Sequence, residues 1–115
     1  MARGLFCAIF LALATPGLAA SDAVVRQYAD YAAAFDARQG REPIPRDTRL
    51  QIANCVLDGF ADARGADSIP QLMDLMKTVA GGVQFDDPVV VKFTKDHGDA
   101  YATIVARCRS RILNG

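Results

Sequence analysis

From Phe85 to Asn114 the chain reads FDDPVVVKFTKDHGDAYATIVARCRSRILN, and any fold it adopts must first house this stretch as one long amphipathic helix. Asp86 and Asp87 offer carboxylate oxygens to the unpaired amides of a helix start, and Pro88 suits a first turn. Arg107, Arg109 and Arg111 favour the negative end. At about 100° per residue, Val90, Phe93, His97, Tyr101, Ile104, Val105, Cys108 and Ile112 share one side, while Lys92, Lys95, Asp96, Asp99 and Ser110 lie opposite. That apolar side has to be covered by other elements. Gly98, directly after His97, weakens a helix by up to about 1 kcal/mol relative to alanine, which allows a bend or a break at this point.

Three further helices are predicted to supply the cover. Between Ser21 and Arg38, Val24, Tyr28, Tyr31 and Phe35 recur at helical spacing with Ala29 and Ala32 beside them; Ser21 or Asp22 caps the start and Gly40 ends it. Arg41-Glu42-Pro43-Ile44-Pro45 reads as a stiff extended connector. A second helix is predicted from Asp47 or Thr48 to Arg64, with Ile52, Ala53, Val56, Leu57, Gly59, Phe60 and Ala63 inward and Gly65 as its stop. Gly59 permits close approach of a neighbouring helix, and Cys55 lies at the margin of the inward arc. A third, shorter helix has Ser68 as cap, Pro70 in its first turn, Leu72, Leu75, Met76 and Val79 inward, and Gly81-Gly82 as terminator. No run of strand length alternates apolar and polar residues between turn signals. The expected fold is all-α, a small four-helix bundle, orthogonal or up-down.

Arg3, the apolar run Leu5–Ala14 and Thr15-Pro16-Gly17-Leu18-Ala19-Ala20 have the form of a secretory signal peptide, cleaved after Ala19 or Ala20. The apolar run falls short of the roughly 20 residues a spanning helix needs, so no stable membrane insertion is expected after cleavage. Residues 21–115 then form a single domain, and Cys7 is discarded with the signal. Two cysteines remain. In an oxidising compartment Cys55 and Cys108, too far apart in sequence for a CxxC or zinc pattern, are expected to form a disulfide. The loop it closes, about 54 residues, is worth on the order of 4 kcal/mol in the chain-entropy model. Abundant alanine, with arginine exceeding lysine and aspartate exceeding glutamate, suggests a GC-rich bacterial genome. Localisation is therefore expected to be the periplasm, or outside the cell.

Removing Arg3 with the signal leaves 12 basic side chains (13 − 1) against 13 acidic ones, a net charge near −1. That balance, with no basic run, argues against nucleic acid or a strongly anionic membrane as partner. There is no CxxCH, GxSxG or phosphate-cradling glycine loop, and no serine with a plausible histidine base nearby in sequence. No enzymatic activity, metal or cofactor is expected. His97 itself sits mid-face and needs a polar partner; it is either a satisfied core histidine or a pH-sensitive group whose protonation loosens the packing.

Three functions remain open. The first is a binding or adaptor protein that works through an interhelical groove or an exposed helix face, toward an unknown protein or small molecule. Tyr28, Tyr31 and Phe35 are its candidate contact aromatics, and equally the inward face of the first helix. The second follows from general plan: a signal peptide, a mature chain below about 100 residues, helices throughout and two cysteines in separate helices. In these respects the chain resembles the HdeA/HdeB group of periplasmic acid-stress chaperones, which implies client binding after opening in acid. It departs from that group in placing a whole helix before Cys55, and Asn54-Cys55-Val56-Leu57-Asp58-Gly59-Phe60 matches the group's cysteine segment only loosely. The third is a metal- or ligand-binding protein built around His97.

Overall fold

The computed structural model describes residues 21–82 and 85–114. The expected signal peptide, its cleavage position and Cys7 lie outside the described residues. Four α-helices follow one another with no strand among the described residues: α1 Asp22–Arg38, α2 Arg46–Arg64, α3 Ile69–Ala80 and α4 Pro88–Asn114.

Helix α1 begins as its sequence predicts, with Ser21 Oγ accepting a hydrogen bond from the Val24 amide at 3.3 Å. It ends in a Schellman motif. The Arg41 amide donates to the Asp36 carbonyl and the Gly40 amide to the Ala37 carbonyl, with Gly40 at φ +72°, where a side chain would be strained. That turn sends Arg41 back towards the helix it has just left.

Two helix starts differ from expectation. Helix α2 opens at Arg46, one residue before Asp47, because Pro45 occupies the cap position: its carbonyl receives the Arg49 amide at 2.9 Å, and no side chain caps the helix. Asp47 acts instead as a first-turn carboxylate near the positive helix end. Ser68 does not cap α3. A 3-10 turn, Ala66–Ser68, already winds the chain after Gly65, so the Ser68 hydroxyl points backward and donates to the Gly65 carbonyl at 2.6 Å. Helix α4 is capped by Asp87, whose Oδ1 accepts from the Val89 amide at 2.9 Å, and runs unbroken through Gly98. Phe85 precedes that helix and is 74% exposed.

The helices pack in a ring: α1 against α2 and α3, and α4 against the same two, so α1 and α4 face each other across a diagonal. Phe60 of α2 is fully buried at the centre, its ring 5.8 Å from Phe93 and 6.0 Å from Tyr101. Burying a side chain such as Phe60, Leu57 or Leu72 contributes about 1.5–3 kcal/mol each. Helices α2 and α4 run antiparallel, with Cys55 opposite Cys108 and Gly59 opposite Ile104. The two sulfurs are 2.06 Å apart and the Cα atoms 5.9 Å, the distances of a disulfide.

Gly59 is where α2 and α4 come closest. A Cβ added there would lie 3.0 Å from Ile104 Cγ2, inside ordinary carbon–carbon contact. Gly59→Val is therefore expected to destabilise the fold by about 1–3 kcal/mol. A urea midpoint at or above that of the unaltered protein would show that the two helices are not in this contact.

Candidate functional site

Because the backbones of α1 and α4 stay apart, the space between them is filled only where long side chains reach across. Tyr28 and Tyr101 do so: their hydroxyls are hydrogen-bonded to each other, and Tyr101 also donates to Met76 Sδ at 3.5 Å. With one proton per hydroxyl, Tyr28 must then donate to Tyr101. Beyond this bridge the facing residues are small, Ala32 on α1 and Ala102 and Ala106 on α4, and a cleft of about 570 Å³ remains open. Its floor is Ile52, Ala53 and Val56 of α2, all buried, and the exposed Ala102, Ala106 and Arg41 lie at its mouth. The size falls within the range of about 300–1,000 Å³ usual for small-molecule sites.

One end of the cleft is charged. Asp36 and Arg49 are each only 7% exposed and form an ion pair, Arg49 Nη1 donating to Asp36 Oδ2 at 3.0 Å. The Schellman turn brings Arg41 to the other oxygen, Nη1 to Oδ1 at 3.0 Å, with its guanidinium 5.7 Å from the centre of the Phe35 ring. Both carboxylate oxygens are thus engaged, which is what allows a charge to sit inside the bundle. Arg109 of α4 lines the same cleft and makes no ion pair among the described residues. Three guanidiniums against one carboxylate leave a local excess of two positive charges (3 − 1).

The tyrosine bridge stays protonated. Burial, then the adjacent Tyr101, pushes the Tyr28 hydroxyl well above the usual phenol range, and burial pushes Tyr101 up to about 12. Both groups hold their protons more tightly folded than unfolded, where about 10 applies. Their contribution is therefore fully present below about pH 10 and is lost as pH rises towards about 12. Alkaline titration should show phenolate absorbance from these two tyrosines appearing together with loss of helical circular dichroism. Ionisation of all three tyrosines below about pH 11 with the helices intact would contradict the buried bridge.

The remaining sequence-expected residues fall elsewhere. Tyr31 is half-buried outside the cleft, its hydroxyl accepting from Gln27 Nε2 at 3.2 Å, so of the three candidate aromatics Tyr28 and Phe35 line the cleft and Tyr31 does not. Tyr28 itself belongs to the core, at 4% exposure. His97 packs against Phe60 and Phe93, ring centres 5.3 and 5.4 Å away, one turn before Tyr101.

A surface chain fixes the His97 tautomer. Lys92 Nζ donates to Asp96 Oδ2 at 2.9 Å, and the Lys92 and Gln71 hydrogen bonds hold that carboxyl below its usual range. An ionised carboxylate only accepts, so Gln71 turns its Nε2 to Asp96 and its Oε1 to His97 Nε2 at 3.0 Å. His97 therefore donates from Nε2. Its Nδ1 is buried and has no hydrogen-bond partner among the described residues. Among the described residues no three His, Cys, Asp or Glu side chains converge as a metal site would require.

A second hollow, about 840 Å³, crosses α2 and α4 at the disulfide, where Arg111 Nη2 donates to Cys55 Sγ at 2.8 Å. Asp58, Asp62, Arg107 and Arg111 line it together, two charges of each sign, so it selects for neither.

Sequence reading did not single out Asp36, Arg49, Tyr101 and Arg109 as a site. A signal was present for the first two. Asp36 lies eight residues after Tyr28 on the same face of α1, and Arg49 lies three before Ile52 on the inward face of α2. Opposite charges on the inward faces of consecutive helices are the mark of a buried pair. Compared with known proteins, the chain matches no family model, no curated protein sequence and no solved structure.

Proposed function

We propose that this chain is a small helical binding protein without catalytic activity, exported to the periplasm by its N-terminal segment, and that the α1–α4 cleft is its working surface. The observation that carries this reading is a groove with an apolar floor, small-residue walls and a charged end, left open by the diagonal placement of two helices. No helix among the described residues is long and apolar enough to cross a membrane.

Amide chemical shifts recorded while decan-1-ol and sodium decanoate are added test the reading. Changes confined to α1, α2 and α4 residues around the cleft, and abolished when Ala102→Trp plugs its mouth, are the expected result. Shifts centred on the disulfide hollow, or undiminished by the plug, would rule it out.

One further observation favours a second reading, the acid-activated chaperone. Asp36 holds Arg41 and Arg49 together, so protonating it releases two ion pairs at once and frees the end of α1. If client proteins aggregate at about pH 2 just as fast with this protein as without it, that reading is excluded.

A further inference from the structure

We propose that the cleft's occupant is an amphiphilic monoanion, a single carboxylate on an unbranched apolar chain. The inference rests on the cleft being the working surface and adds the chemistry of what enters it. Asp36 already occupies Arg41 and Arg49, so the two pairs form a fixed, satisfied wall rather than a free binding group. Arg109 is different. It faces the same space from α4 with no ion pair among the described residues, and its planar fork suits two parallel hydrogen bonds to a carboxylate. The net positive charge of the lining favours an anion, and the one guanidinium without an ion pair among the described residues offers a single two-bond site, which one carboxylate fills.

The other end of the cleft offers nothing polar to a ligand. The Tyr28 proton is committed to Tyr101 and the Tyr101 proton to Met76 Sδ, so a polar group inserted there would lose its hydration with no donor in return. Ile52, Val56 and Val105 line the path between the ends. An anion enters with its apolar end towards the tyrosines and its head towards Arg109. The length follows from register. Tyr28 to Asp36 and Tyr101 to Arg109 are both eight residues, about 12 Å of helix. That matches an extended chain of roughly eight to ten carbons at ordinary bond lengths. A cation of the same shape meets an excess of positive charge, and a neutral alcohol leaves Arg109 unanswered.

Calorimetric titration of the oxidised protein with sodium decanoate, decan-1-ol and decyltrimethylammonium bromide, each below its micelle concentration, separates the possibilities. The expected result is one saturable decanoate site, at least tenfold weaker binding of the alcohol, none of the cation, and a tenfold or greater loss for decanoate in Arg109→Gln. Arg109 is half-exposed and makes no ion pair among the described residues, so that variant should melt with the unaltered protein, and a thermal scan checks it. Equal affinity for acid and alcohol, unchanged in Arg109→Gln but lost in Ala102→Trp, would overturn the anion inference while leaving the cleft as a binding surface. Decanoate binding that survives Ala102→Trp, or no binding of any of the three, would overturn both.

Discussion

Asp36→Ala is expected to lower the unfolding free energy by about 3–5 kcal/mol, the cost of leaving a buried charge without its partner. The charge so stranded is Arg49, whose side chain is only 9% exposed; Arg41, at 57%, is rehydrated by solvent and adds little. For a domain of this size each kcal/mol moves the melting temperature by about 4–8 °C, so the effect is large in a thermal scan. Asp30→Ala is the internal control. Asp30 and Arg46 form a shorter ion pair, 2.7 Å, but with both side chains more than half exposed, and its loss should cost less than about 1 kcal/mol. Burial rather than distance decides between the two. A double replacement, Asp36→Leu with Arg49→Met, should recover most of the loss, since removing both charges also removes their desolvation. An Asp36→Ala protein that melts within about 3 °C of the parent would mean that Arg49 finds water or another acceptor, and the rigid charged end of the cleft would have to be abandoned.

Reducing the Cys55–Cys108 bond, or replacing both residues with alanine, is expected to cost about 4 kcal/mol. The cause lies in the unfolded chain, where a link between residues separated by 53 positions no longer restricts the ensemble. Urea unfolding with and without reductant measures it, and the reduced protein should keep its helical spectrum at low denaturant. Identical midpoints would mean the sulfurs are not joined under the conditions used. The disulfide and the Asp36 network share no residues, so their losses should add. The sum, about 7–9 kcal/mol, rivals the entire stability of an ordinary domain. A chain lacking both should not fold.

Much of this architecture is legible from residue spacing. The periodic faces of α1 to α4, the Ser21 cap, the closeness of α2 and α4 at Gly59 and the pairing of Cys55 with Cys108 all follow from local pattern and chemistry. Helix starts are less legible, because Pro45 takes the cap position of α2 and leaves Asp47 in the first turn, and the 3-10 turn before α3 draws the Ser68 hydroxyl back to the Gly65 carbonyl. The cleft was not legible. Alanines at 32, 102 and 106 look like ordinary helix formers, and become the walls of a groove only once α1 and α4 are set on a diagonal. Tyr28 and Tyr101 are separated by 73 positions and meet for the same reason.

The two walls of the cleft are anchored in different ways. Helix α4 is joined covalently to the floor helix α2, whereas α1 is held by noncovalent contacts: packing, the Asp36 ion pairs, the exposed Asp30–Arg46 pair, the tyrosine bridge and the Arg38 bond to the Ala80 carbonyl at 2.9 Å. Amide hydrogen exchange should therefore separate them: α1 amides exchanging through partial opening at modest free energy, those of α2 and α4 near Cys55 and Cys108 only through global unfolding. A hinged wall against a riveted one lets a ligand be admitted and released without disturbing the core around Phe60.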